Sequence, residues 1–332
     1  MTERDREILA LFEAGNQRGL ARAISRAESG AGAALMHALF GRTGRALTIG
    51  LTGPPGVGKS TLSSALVKTA RAAGKSVGVV SVDPSSPFSH GAILGDRIRL
   101  TEHFVDPEVF IRSMASRGHL GGLAGATGDA VAFMDAFGKD VILIETVGVG
   151  QSEIEIAELA DTTIVAMQPG SGDSVQLLKA GVLEVADVFV VNKADHPMAL
   201  VLRREIRSMM EMLDFSGWVP PLVSTQADEG VGIGELWDAI LAHDAYLRES
   251  GDLAGKRRAA FAHRVRALVM GELQRRVESR IEAALDENVR RGDDPYETAA
   301  KLLAPLREAL PPADDDSPSA QIAPGRATVK GL

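Results

Sequence analysis

The chain contains no cysteine. Disulfides, thiolate zinc sites, iron–sulfur clusters and cysteine nucleophiles are thereby excluded together, and the composition suits a reducing compartment. Long apolar runs are missing too, since stretches such as 188–191 fall far short of the ~20 residues a membrane helix needs. Residues 1–20 open with a charged amphipathic pattern and lack the continuous apolar core of a secretory signal, so a cytoplasmic protein without membrane contact is expected. Positive charge is in deficit, with 36 Lys and Arg against 44 Asp and Glu and a net charge of −8. Such a balance makes a poor general nucleic-acid binder. What remains is 332 residues, 45% of them hydrophobic, enough for one large domain or one domain with appendages.

Three regions follow from the patterning. Residues 1–45 read as a helical extension, with Ile8, Leu9 and Phe12, then Leu20 and Ile24, then Leu35, Leu39 and Phe40 recurring at helical spacing. Residues 46–250 carry short apolar, β-branched runs at 47–51, 77–82, 141–144, 163–167, 188–191 and 222–224, each followed by glycine punctuation and a helical stretch. This alternation predicts an α/β fold with a mostly parallel central sheet covered on both faces, and ligands at the carboxyl ends of the strands. In 251–332, Phe261, Val265, Leu268, Val269, Leu273, Val277, Ile281 and Leu285 form one apolar stripe along a long helix. That stripe either packs on the central domain or serves as a dimerisation arm. The basic run Lys256, Arg257, Arg258 reads as a solvated face, and the Pro-, Ser- and Gly-containing tail from Pro311 as loosely docked.

The loop after the first run is Gly53-Pro54-Pro55-Gly56-Val57-Gly58-Lys59-Ser60-Thr61, which matches G-x-x-x-x-G-K-[ST] with a strand before it and a helix behind. Glycines let backbone N–H groups curl round phosphates, and the helix N-terminus adds its partial positive charge. Lys59 would reach the β- and γ-phosphate oxygens, and Ser60 would offer its hydroxyl to Mg²⁺.

Asn192-Lys193-Ala194-Asp195 closes the run 188–191 as an N-K-x-D motif. A carboxylate at Asp195 accepts from guanine N1–H and the exocyclic amine together, a donor pair adenine lacks, so GTP is expected over ATP. Gln226, Ala227 and Asp228 follow the run 222–224 and are positioned to finish the base pocket. The run 141–144 ends in Glu145, a carboxylate in the Walker B position, followed by Thr146-Val147-Gly148. Gly148 N–H could hold the γ-phosphate, which makes 148–153 a candidate switch. A Ras-like enzyme has a water-orienting glutamine directly after that glycine; here the position is Val149, with Gln151 further on, so slow intrinsic hydrolysis is expected. Asp83 and Asp96 supply further carboxylates, Asp83 equally readable as a turn residue and Asp96 as a helix N-terminal charge.

Together, the phosphate loop, Asp83-Pro84-Ser85-Ser86, Ile93-Leu94-Gly95-Asp96, Ser116-Arg117-Gly118-His119-Leu120-Gly121-Gly122, the block from Glu145 to Glu153 and the N-K-x-D motif resemble methylmalonyl-CoA mutase-associated GTPases of the MeaB/ArgK type, in order over residues 45–250. The resemblance implies a P-loop GTPase with N-terminal helices and a C-terminal dimerisation arm, acting as chaperone for an adenosylcobalamin-dependent acyl-CoA mutase by gating cofactor loading and protecting the mutase. It also implies that Asp83, Asp96 and Glu145 surround Mg²⁺ alongside Ser60, and that Asp173, Gln176 and Lys179 belong to a third switch that couples nucleotide state to the mutase. His90 departs from the family pattern, where glycine is usual.

Two other classes remain in view, a P-loop kinase and a nucleotide-gated scaffold with negligible turnover. Nickel-inserting and CobW-type relatives carry Cys or His clusters, against zero Cys and seven scattered His here. No cobalamin-binding D-x-H-x-x-G motif is present, so cobalamin is expected on the partner only.

Overall fold

The computed structural model describes residues 1–84, 102–116, 122–146, 152–170, 182–215, 217–291, 294–309 and 328–329. In chain order the elements are α1 (Glu3–Glu13), α2 (Gln17–Glu28), α3 (Ala33–Leu39), β1 (Leu47–Thr52), α4 (Lys59–Ala72), β2 (Val77–Pro84), β3 (Val109–Ser116), α5 (Gly122–Phe137), β4 (Val141–Glu145), α6 (Ser152–Leu159), β5 (Thr162–Met167) and β6 (Val188–Asn192). There follow α7 (Ala199–Met210), β7 (Leu213–Asp214), β8 (Leu222–Thr225), α8 (Ile233–Ser250), α9 (Asp252–Arg291), α10 (Pro295–Ala309) and β9 (Thr328–Val329).

Seven strands form one sheet in the order β3-β2-β4-β1-β5-β6-β8, and every neighbouring pair is parallel. The apolar runs are continuous because both faces are covered. Along β4, Val141 and Leu143 pack with Leu62, Leu66, Leu236 and Ile240 from α4 and α8. Ile142 and Ile144 point the other way, into a cluster with Phe133 of α5 and with Ile8, Phe12, Leu20, Ile24, Leu35 and Leu39 of the N-terminal helices. A third cluster seats Leu202 and Ile206 of α7 on Val165, Phe189 and Val191. The α/β architecture with a parallel sheet is thus the one the strand–helix alternation predicted.

Two expectations need correction. Residues 109–116 form the edge strand β3, which the apolar runs did not reveal. Arg112 and Ser113 interrupt the run, as an edge strand permits, and Arg112 pairs with Glu28 and with Ser25 of α2. The basic run is not a solvated face either. Lys256 donates to the Asp161 carbonyl at 2.9 Å and to Asp187 at 2.7 Å, while Arg257 grips Asp161 at 3.0 Å and the carbonyls of Gly44 and Ala46. Asp161 precedes β5 and Asp187 precedes β6, so two cations of this run lock the start of α9 to the amino ends of the sheet. Arg258 alone is exposed.

The chain divides into a larger unit, 1–264 with 326–332, and a smaller one, 265–325. In the smaller unit Val265, Leu268, Val269 and Ile281 are exposed along α9, and Arg275 and Arg276 pair with Glu272 on the same helix. In the larger unit Thr328–Val329 pair antiparallel with Leu213–Asp214. Among the described residues no helix is long and apolar enough to cross a membrane.

Candidate functional site

The carboxyl ends of β1, β4, β5, β6 and β8 lie side by side, and the residues just beyond them build the site. Past β1 the chain turns through Gly53, Gly56 and Gly58, all with positive φ, before α4 begins at Lys59. At Gly53 a Cβ would collide with the Ala166 carbonyl, and at Gly58 it would sit 2.7 Å from Asn192 Nδ2, so both positions require glycine. No side chain caps the N-terminus of α4. Its first N–H groups and its positive dipole end therefore point into the loop, which suits an anion. The buried Lys59 folds over this loop, its Nζ donating to the carbonyls of Gly53 at 2.8 Å and Pro54 at 3.1 Å. Pro55, Gly56 and Thr61 are exposed at the rim, and Val57 is buried beneath it.

Glu145, at the end of β4, accepts from Ser60 Oγ at 2.7 Å and from Ser63 Oγ at 2.8 Å, and all three side chains are buried. A carboxylate and a hydroxyl meeting at the mouth of the phosphate loop are hard oxygen donors of the kind Mg²⁺ takes, so this pair fits that ion. Asp83 is the next-to-last residue of β2, its backbone paired in register to Ala115; its side chain, and the whole of Asp96, lie outside the described residues. Among the described residues no group of three or more His, Cys, Asp or Glu is gathered as a metal cluster. Ser63 was missed in the sequence, although its i+3 spacing from Ser60 places both hydroxyls on one helix face.

The N-K-x-D loop is bonded directly to the phosphate loop. Asn192, buried at 3% exposure, donates from Nδ2 to the Val57 carbonyl at 2.8 Å. Its Oδ1 accepts from Thr225 Oγ1 at 3.0 Å and from the Ala227 N–H at 3.2 Å. Lys193 Nζ reaches the Gly56 carbonyl at 2.9 Å and Gln168 Oε1 at 2.6 Å. Asp195 and Asp228 are exposed at the same end, and Gln226 bridges back to Val231. The first three residues of the motif therefore organise the loop, while the Asp195 carboxylate is left facing solvent, open to a ligand. Thr225 and Gln168, which hold Asn192 and Lys193, carried no motif signal.

On its outer side α4 is fastened by Ser64, Lys68 and Arg71 to Glu102, His103 and Asp106. Burial pushes the His103 imidazole below its ordinary value, and the Arg71 guanidinium holds the Asp106 carboxyl down. Gly148, Gln151, Asp173, Gln176, Lys179 and His90 lie outside the described residues.

A family model described as methylmalonyl-CoA mutase-associated GTPase MeaB matches residues 20–282. A protein of Pyrococcus horikoshii described as a GTPase is 44% identical over 306 residues, covering 90% of this chain and 96% of its own. The mouse methylmalonic aciduria type A homolog, a mitochondrial protein, is 38% identical over 221 residues, 64% of this chain and 53% of its own. A crystal structure of a LAO/AO transport system kinase superposes with a TM-score of 0.68 at 26% identity, covering 92% of this chain and 99% of that one.

Proposed function

Since the chain belongs to the methylmalonyl-CoA mutase-associated GTPase family, we propose that its GTPase activity serves an adenosylcobalamin-dependent acyl-CoA mutase, gating cofactor loading and protecting the mutase from inactivation. The bonding of Asn192 and Lys193 onto Val57 and Gly56 is the observation that supports the nucleotide reading, because the N-K-x-D loop and the G-x-x-x-x-G-K-[ST] loop are in direct contact. In this reading residues 53–61 wrap the phosphates, with Lys59, Glu145 and the Gly148 N–H at the reacting end. Asn192, Lys193 and Asp195, with Gln226, Ala227 and Asp228, enclose guanine. Ser60 and Glu145, joined by Asp83 and Asp96, would hold Mg²⁺, which when bound neutralises charge on the β- and γ-phosphates. Gln151, Asp173, Gln176 and Lys179 couple nucleotide state to the mutase.

Intrinsic hydrolysis is slow in this scheme, since Val149 replaces a water-orienting glutamine, and the mutase accelerates it. Cobalamin stays on the partner. Residues 1–45 are a helical extension of a GTPase domain at 46–250, and 251–332 form an arm through which two copies pair; the exposed apolar residues of α9 support that pairing. The protein works in the cytoplasm. The test is phosphate release from GTP by the purified chain, with and without candidate mutases. Stimulation by one mutase is expected. GTP hydrolysis indifferent to every such mutase would remove the chaperone role, transfer of the γ-phosphoryl group to an acceptor would identify a kinase, and nucleotide binding without turnover would leave a scaffold.

A further inference from the structure

Lys193 is, among the described residues, the one non-glycine position with positive φ, at 57°. Such a backbone costs of order 1 kcal/mol and persists only where its surroundings over-determine it. Here the backbone on either side is fixed by Ala194 N–H to the Thr225 carbonyl at 3.0 Å and His196 N–H to the Lys193 carbonyl at 3.0 Å. The side chain is fixed by two acceptors, the Gly56 carbonyl and Gln168 Oε1. The Gly56 contact ties the lysine to the phosphate loop. The Gln168 contact, at 2.6 Å, is the shorter one, and Gln168 stands one residue past the end of β5, the strand paired with β6.

The turn that carries Gln168 meets the guanine loop twice. Besides the Gln168–Lys193 bond, Gly170 lies against the His196 ring, which a Cβ there would approach to 3.6 Å. Gln168 also faces the phosphate loop itself, since a Cβ on Gly56 would meet its Nε2 at 3.8 Å. One amide side chain thus borders both halves of the nucleotide pocket.

We propose that Gln168 is a positioning residue for the guanine site, which sets the residence time of bound GDP by holding Lys193 against the phosphate loop. This rests on the reading of Asn192–Asp195 as the guanine loop. Gln168 precedes Asp173, Gln176 and Lys179 in the chain, so a partner acting on that segment would have a short covalent route to nucleotide release.

Stopped-flow dissociation of a fluorescent GDP analogue from the full chain tests this. Losing a hydrogen bond to a charged donor at a partly exposed site should raise the GDP release rate about tenfold in Gln168→Met. KM for GTP should rise by a larger factor than any change in kcat. Gln168→Glu, which keeps an acceptor for the ammonium, should restore a slow release. In a double-mutant cycle, Gln168→Met should add less than about twofold once Lys193→Ala is present, because the two residues act through one contact. Release within twofold of wild type in Gln168→Met, additive effects in the cycle, or equal acceleration by Met and Glu would each overturn the proposal. If Lys193→Ala itself leaves GDP release unchanged, the guanine-loop reading fails first and the proposal with it.

Discussion

Truncating Asn192 to alanine perturbs the joint between the phosphate loop and the N-K-x-D loop. The side chain is 3% exposed and makes three hydrogen bonds, one donated to Val57 and two accepted from Thr225 and Ala227. The buried Thr225 hydroxyl can rotate about its C–O bond, but the buried Ala227 N–H is fixed by its backbone. An unsatisfied buried donor costs about 1–3 kcal/mol and each lost hydrogen bond about 0.5–1.5 kcal/mol, so Asn192→Ala should destabilise by about 3 kcal/mol. For a unit of this size that corresponds to roughly 6–12 °C in Tm. Differential scanning calorimetry of the nucleotide-free chain measures the loss directly. Repeating it with saturating GDP adds the functional half, because a phosphate loop no longer tied to the guanine loop should gain less Tm from GDP than wild type does. A Tm within 2–3 °C of wild type, with an undiminished GDP-induced rise, would refute the idea that Asn192 is the structural link between base and phosphate recognition.

Lys59→Ala should lower GTP turnover by about 10²-fold or more, since a donor aimed at developing phosphate charge is lost; near-normal phosphate release in a malachite-green assay would strip Lys59 of that role. Asp195→Asn should shift preference from GTP to XTP, whose ring carries an oxygen where guanine carries the amine, and competition binding with both nucleotides reads the shift; retained guanine selectivity would move base recognition elsewhere. His243 offers a test of pH dependence. It is 1% exposed, its Nδ1 lies 2.9 Å from Thr162 Oγ1 and its Nε2 3.3 Å from Asp187, and burial lowers its pKa from 6.5 to about 4 despite that carboxylate. The unfolded chain takes up the proton first, so the stability from neutral His243 is complete above about pH 6.5 and drains as pH falls toward 4, by about 3 kcal/mol across the window. Urea midpoints measured between pH 7 and 4.5 should fall steeply for wild type and less for His243→Gln; parallel curves would show that the imidazole takes up its proton as readily in the folded state as in the unfolded one.

What the sequence made legible follows from how locally each constraint acts. Parallel strands buried on both faces must be apolar along their length, as at 141–144 and 188–191, so a short window betrays them. The phosphate loop is legible for a related reason: Gly53 and Gly58 are demanded by φ and by close approach within one turn, and Lys59 completes the G-x-x-x-x-G-K-[ST] pattern beside them. β3 escaped because a strand at the sheet's margin, hydrogen-bonded along one edge only, tolerates Arg112 and Ser113. Lys256 and Arg257 were misread for the opposite cause, since their carboxylate partners, Asp161 and Asp187, stand at the amino ends of strands far back in the chain. The same distance hid the site's internal wiring. Asn192 and Val57 are 135 positions apart, and Lys193 and Gly56 137. Only the strand order, with β5 between β1 and β6, brings them together and makes Gln168, at the end of the intervening strand, the residue between them. A motif specifies which atoms meet the ligand, and the sheet specifies which motifs meet each other. The second kind of information lies in strand order, so residues like Gln168 and Thr225, which touch motifs without belonging to one, emerge only once the sheet is assembled.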